Sequence, residues 1–177
     1  MNLPNALSLV RIFLIPVLVV FLIAVPRPYN LTAAAVFLAA VLTDWLDGRI
    51  ARRTRQVTTL GKLLDPVADK LLISASLISL VQVGRVQAWM VVLIVGRDIA
   101  VTGLRAIAAT QNVVIQASDF GKLTMTAEVI AVALLILNWP VAVVPPGQVV
   151  LAVAATLSLV SGVIYFRKFW RCVDLEK

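Results

Sequence analysis

Residues 30–83 read NLTAAAVFLAAVLTDWLDGRIARRTRQVTTLGKLLDPVADKLLISASLISLVQV. Two apolar runs, 30–50 and 63–83, flank a basic connection. Each has about the 20 residues needed for one helical crossing of a hydrocarbon core roughly 30 Å thick. Outward from this pair the pattern recurs at 6–26, 87–109, 123–139 and 147–166, broken by PRP, VGR, QNVVIQASD and NWP…PPGQ. Six such crossings use about 120 residues, so a chain of 177 keeps only short loops outside the bilayer. Composition agrees, with 61% hydrophobic and 14% charged residues and a mean hydropathy of +0.99, which excludes an ordinary soluble domain. The expectation is an all-α, polytopic integral membrane protein of six transmembrane helices. It forms a single membrane domain over 1–177, without a soluble domain, low-complexity tract or internal repeat.

Charge sets the orientation. Sixteen Lys and Arg against nine Asp and Glu give +7. A nucleic-acid partner is one reading of that excess. A membrane protein gathers basic residues on its cytoplasmic side, however, and no nucleic acid is expected. Arg27 and Arg85 are the only basic residues in the three loops of one side, whereas Arg49, Arg52, Arg53, Arg55 and Lys62 flank the second connection, and Arg167, Lys168, Arg171 and Lys177 form the tail. Both termini are therefore expected in the cytoplasm. The opening MNLPNALSLVRIFLIP carries Pro4 and Asn5 as helix-start signals and Arg11 after a short amphipathic turn, which suits an N-terminal interfacial segment leading into the first span, itself kinked at Pro16. No basic region precedes the apolar run, so a cleaved signal peptide is not expected. The Trp and Tyr residues read as interface anchors or packing.

Six of the nine acids lie in or beside apolar runs, where an ionised side chain costs several kcal/mol unless paired or metal-bound. Four of them cluster. Asp44, Asp47, Gly48, Ala51 and Arg52 follow the i, i+3, i+4, i+7, i+8 rhythm of one helical stripe, and Gly61, Asp65 and Asp69 do the same at i, i+4, i+8 on the next helix. The short connection makes the two helices antiparallel neighbours whose stripes can face each other at the cytoplasmic boundary. With no His and only Cys172 as thiol, imidazole catalysis, CxxC chemistry, Cys/His zinc sites and intrachain disulfides are excluded. Four converging carboxylates then suit hard cations, and two divalent ions balance four Asp. Small residues beside them let a bulky phosphate-bearing ligand approach the backbone. Pairing with Arg52, Arg53 or Lys70 explains one or two of these acids but not four on matched stripes. A cation or proton pathway, as in a divalent-cation transporter, predicts carboxylates spread through the membrane rather than gathered at one edge.

Written out, the stretch is Asp44-x2-Asp47-Gly48-x2-Ala51-Arg52-x8-Gly61-x3-Asp65-x3-Asp69. It resembles the signature of the CDP-alcohol phosphatidyltransferases. NLPNALSLVR at the start, TDWLDG at 43–48, DPVADK at 65–70, GRDIAVTGLR at 96–105 and GK at 121–122 resemble the branch of that family that makes phosphatidylglycerophosphate. The resemblance implies six transmembrane helices in a homodimer, a polar cavity open to the cytoplasm, and two divalent cations, Mg²⁺ or Mn²⁺. It implies transfer of a phosphatidyl group from CDP-diacylglycerol to an alcohol with release of CMP, at a membrane such as the bacterial inner membrane. Carried onto this chain, Asp44, Asp47 and Asp65 are metal ligands, Asp69 is a ligand and the catalytic base, and Gly48, Ala51, Arg52 and Gly61 border the CDP moiety. With neither His nor an evident activated Ser or Cys, direct displacement is expected over a covalent phosphatidyl-enzyme.

The acceptor must be read elsewhere. Arg97 and Arg105 sit two turns apart on the fourth helix and Lys122 begins the fifth, so together they can hold a dianionic phosphate. Each alone also fits a cation snorkelling at a helix end. Three cations favour an acceptor that already carries phosphate, sn-glycerol 3-phosphate or inositol phosphate, over serine, choline or ethanolamine. GRDIAVTGLR resembles the glycerol 3-phosphate branch, with inositol phosphate or phosphatidylglycerol as alternatives. The chain departs from the family's GKxKT at Thr124, where the second Lys is missing, and at Glu128, where the family often has Gln. Glu128 either pairs with Arg97 or Arg105 or is a protonated, buried group.

Overall fold

A computed structural model describes the backbone of residues 3–24, 30–54, 59–110, 119–138 and 145–174, and the side chains of 8–24, 30–44, 46, 66–110, 120–138 and 145–172. The described residues form six α-helices and no strand: α1 (Leu3–Ala24), α2 (Leu31–Thr54), α3 (Thr59–Gln82), α4 (Ala88–Thr110), α5 (Asp119–Leu137) and α6 (Pro146–Asp174). Each covers most of one of the expected apolar runs. The helices outrun those apolar stretches: α2 and α3 extend into the basic connection and α6 continues to Asp174. Hydropathy marks only the apolar part of a helix, and the charged turns at its ends keep their backbone hydrogen bonds without adding to that signal.

Local chemistry sets several of the ends. Asn30 caps α2, its Oδ1 accepting from the Ala33 amide at 3.0 Å and the Thr32 hydroxyl at 2.9 Å, while its Nδ2 donates to the Phe21 carbonyl at 2.6 Å and ties the cap to α1. α3 ends in a Schellman turn: Gly84 has φ 73°, its amide donates to the Val81 carbonyl at 3.0 Å, and the Arg85 amide donates to the Leu80 carbonyl at 2.9 Å. Asn138 closes α5 in the left-handed region, with φ 45°. Pro146 opens α6, where its missing N–H is not needed.

Among the described residues, α1 packs against α2 and α3, and α6 against α4 and α5. α3 and α5 join the two groups. Between the helices lies a core that includes Leu18, Phe37, Leu77, Leu80, Ile94, Val132 and Leu151. The perimeter is also apolar: Phe13 is 72% exposed, Val92 and Ile99 68% each. A surface of this kind is unfavourable in water and suits a lipid surround. By length and apolarity two helices meet the demand of a crossing, over Phe120–Leu137 and Pro146–Cys172, and shorter apolar helical stretches run over Ser8–Ala24 and Leu31–Asp44. The charges that weaken the signal elsewhere, such as Arg97, Asp98 and Arg105 on α4, line an internal cavity.

Arg85 has a structural task that the orientation argument did not foresee. Its Nη1 donates to the carbonyls of Leu135 at 3.1 Å and Ile136 at 2.9 Å, capping the end of α5, and its own carbonyl accepts from Gln148 Nε2 at 3.2 Å. α6 starts so close to this cap that a Cβ on Gly147 would stand 2.8 Å from the Leu135 backbone nitrogen. Arg85→Ala leaves two carbonyls at the end of α5 without this donor and is expected to destabilise the protein by about 1–3 kcal/mol, read as a lowered melting temperature in detergent with the acceptor KM unchanged.

Candidate active site

Arg11, expected at the membrane interface, is fully buried, and α1 runs unbroken from Leu3 through it. Its Nη2 lies 3.1 Å from Asp44 Oδ1 on α2, and its Nη1 donates to Asp69 Oδ1 on α3. Two carboxylates thus replace the headgroup region as its surroundings. Most side chains of the two signature stripes, which the sequence allows to face each other, lie outside the described residues. Among the described residues α2 and α3 touch little, and α1 packs against both, with Arg11 joining Asp44 to Asp69. A buried guanidinium is stable only with such partners.

Asp44 and Asp69 thus share the Arg11 guanidinium; their all-oxygen donor chemistry is of the kind that suits a divalent ion, but among the described residues no three His, Cys, Asp or Glu side chains gather to hold one. Asp47 and Asp65, and with them Gly48, Ala51, Arg52 and Gly61, fall on α2 and α3, but their side chains lie outside the described residues.

Beside Asp69 opens a cavity of about 180 Å³. Asp69 and Lys70 reach it from α3, Arg97, Asp98 and Arg105 from α4, and Lys122 and Glu128 from α5. The three cations picked out from the sequence thus line one cavity with the signature carboxylate. Arg97 donates to Asp98 Oδ1 at 2.6 Å through Nη1 and to Ser161 Oγ at 2.7 Å through Nη2. Gly162 on α6 leaves room for its stem, since a Cβ there would lie 3.1 Å from Arg97 Cγ. Arg105 stacks over the Tyr165 ring at 5.2 Å.

In the sequence Lys70 figures only, with Arg52 and Arg53, as a possible partner for one or two of the signature acids. It turns instead toward α4, donating to the Asp98 carbonyl at 3.0 Å and to the Thr102 hydroxyl, and adds a fourth cation to the cavity. Glu128 is buried, and no ion pair with Arg97 or Arg105 forms among the described residues; Arg97 takes Asp98 instead. Thr124, where the family's second Lys is missing, is buried and donates to the Phe120 carbonyl at 2.8 Å. Two orphan atoms remain on cavity-lining residues: Arg97 Nε, a buried donor without an acceptor, and Glu128 Oε1, a buried carboxyl oxygen without a donor, among the described residues.

The family model for CDP-alcohol phosphatidyltransferases matches residues 1–161. The chain belongs to that family. It is 43% identical to the CDP-diacylglycerol–glycerol-3-phosphate 3-phosphatidyltransferase of Bacillus subtilis (strain 168), over 97% of each chain. It is 36% identical to CDP-diacylglycerol–glycerol-3-phosphate 3-phosphatidyltransferase 2 of Arabidopsis thaliana, over 96% of this chain and 80% of the relative. It is 34% identical to a cardiolipin synthase (CMP-forming) of Oryza sativa subsp. japonica, over 97% of this chain and 58% of the relative.

Proposed function

We propose that this protein is an integral-membrane enzyme that transfers the phosphatidyl group of CDP-diacylglycerol to sn-glycerol 3-phosphate, giving phosphatidylglycerophosphate and CMP. One observation carries the acceptor assignment. Lys70, Arg97, Arg105 and Lys122 line a cavity that Asp69 also lines, and Arg97 Nε there is a buried donor with no acceptor among the described residues. A phosphate supplies that acceptor and the compensating charge. The similarity to transferases named for glycerol 3-phosphate supports the same reading.

In this reading Asp44, Asp47, Asp65 and Asp69 hold two divalent cations, Mg²⁺ or Mn²⁺, and Gly48, Ala51, Arg52 and Gly61 border the CDP moiety. Bound there, the cations supply Lewis acidity at the phosphorus under attack and charge that stabilises the departing CMP. The four cavity cations fix the acceptor by its phosphate, so that its primary hydroxyl meets Asp69. A hydroxyl is too weakly acidic to lose its proton first, so Asp69 accepts it as the new O–P bond forms and the P–O bond to CMP breaks. Six helices cross the membrane in a homodimer, with both termini and the cavity mouth on the cytoplasmic side, where the basic connection and the Arg167, Lys168 and Arg171 tail lie.

Neutralising Arg97, Arg105 or Lys122 is expected to raise the KM for glycerol 3-phosphate and leave CDP-diacylglycerol affinity nearly unchanged. Losing one charge-assisted contact costs about 1.5–3 kcal/mol, roughly a 10- to 150-fold change. Arg97→Lys is tolerated only in part, because it loses the planar fork. Three substitutions that alter expression or stability but leave the acceptor KM untouched would remove the phosphate pocket and favour an unphosphorylated alcohol.

A further inference from the structure

Asp98 and Glu128 are the acids of the cavity that the transfer reaction does not use, and of the two Asp98 is held by Arg97. Glu128 is 3% exposed, lies on α5 among Arg97, Lys70 and Asp69 as a lining residue, and its Oε1 has no hydrogen-bond donor among the described residues. An unsatisfied buried polar oxygen is unfavourable enough to call for an explanation. The cavity's cations do not provide one. Arg97 pairs with Asp98 and Ser161, Lys70 is held by the Asp98 carbonyl and Thr102, and Arg105 lies over Tyr165. Thr124, one turn away on the same helix, gives its proton to the Phe120 carbonyl. Among the described residues no side chain gives Oε1 its hydrogen bond, which leaves the occupant of the cavity as the source of the donor.

The chemistry of the acceptor narrows which group this is. A phosphate dianion offers only acceptor oxygens and repels a carboxylate, so it belongs with the cations and Arg97 Nε. The hydroxyl that attacks must meet Asp69. An acceptor with three substituted carbons retains one further donor, the hydroxyl on its middle carbon.

We propose that Glu128 accepts a hydrogen bond from this non-reacting hydroxyl and so makes the cavity select a phosphorylated polyol over a simple phosphoalcohol. The cavity thus carries two complementary vacancies in hydrogen bonding, a donor at Arg97 Nε for the phosphate and an acceptor at Glu128 Oε1 for the hydroxyl. A site built to pair a substrate hydroxyl discriminates against the analogue that lacks it, because its own polar group is then left buried and unpaired. This assignment rests on the acceptor reading above.

The test compares kcat/KM for sn-glycerol 3-phosphate and for 3-hydroxypropyl phosphate, which lacks the middle hydroxyl, in the detergent-purified wild type, Glu128→Gln and Glu128→Ala. The wild type is expected to prefer glycerol 3-phosphate by about 10- to 150-fold, the range of one hydrogen bond to a charged group. Glu128→Ala should bring the two acceptors within about threefold of each other, chiefly by losing glycerol 3-phosphate. Glu128→Gln should keep most of the preference, since its amide oxygen still accepts. A wild type indifferent to the middle hydroxyl overturns the assignment even if Glu128→Ala cannot be purified. Equal losses with both acceptors in the variants also overturn it, and would place Glu128 in the service of the phosphate or the fold. Turnover of neither acceptor by the wild type would instead overturn the acceptor reading, and this assignment with it.

Discussion

Asp69→Asn is expected to turn over at least about 10²-fold more slowly than the wild type, the scale of losing a general base, while still binding CDP-diacylglycerol in the presence of Mg²⁺. Asp69 is the signature acid that both meets Arg11 and lines the cavity of Lys70, Arg97, Arg105 and Lys122. In the reaction proposed above it stands between the two halves of the site, where the acceptor hydroxyl would meet the donor phosphorus. Asn preserves its shape and one oxygen but cannot take a proton. Single-turnover rates and donor binding, measured on the same preparation, separate the roles. Binding lost in proportion to rate would make Asp69 a ligand and leave the base unassigned.

Arg11→Met should have the largest effect on stability. It removes the buried cation between Asp44, which is 41% exposed, and the more buried Asp69, so two carboxylates lose their guanidinium partner. Breaking a fully buried pair from one side typically destabilises by about 3–5 kcal/mol, and solvent at Asp44 brings the expected loss to the lower end of that range or below it. Arg11→Lys keeps the charge but offers a single point instead of a fork, and should recover only part of the loss. If Asp44 and Asp69 belong to a divalent-cation site, saturating Mg²⁺ should raise the melting temperature of Arg11→Met by more than it raises that of the wild type, because the ion then supplies the charge the variant lacks. An equal rise in both proteins would separate Arg11 from the metal-binding acids.

The helices were legible because apolar runs of crossing length are separated by Pro, Gly and charge clusters, and each run coincides with one helix to within a few residues at the described ends. Lys122, Arg97 and Arg105 were legible because cations in or beside an apolar helix need a partner, and a shared anionic ligand is one that serves all three. Arg11 was not. It lies 58 positions before Asp69, and no local pattern links residues so far apart. A single Arg near the start of an apolar run has the same hydropathy signature whether it meets headgroups or carboxylates. Lys70 was weighed only as one of three cations that could pair with the signature acids; its turn toward Asp98 and Thr102 depends on where α4 packs, which no local pattern gives. Glu128 was left open between ion pairing and burial, because Asp98, adjacent in sequence to Arg97, captures the guanidinium that Glu128 would otherwise have met. Arg85 was counted as a loop charge, while its cap on α5 depends on where a distant helix ends.

The central claim is that this cavity joins a phosphatidyl donor to a phosphorylated acceptor with the help of divalent cations held by aspartates. The most direct test measures CMP release from CDP-diacylglycerol by the purified protein, with and without sn-glycerol 3-phosphate, before and after exhaustive chelation. CMP should appear only when glycerol 3-phosphate is present, in step with phosphatidylglycerophosphate, should cease on chelation and should return with Mg²⁺ or Mn²⁺. CMP release that ignores glycerol 3-phosphate but follows inositol phosphate or phosphatidylglycerol, or full turnover in excess chelator, would contradict it.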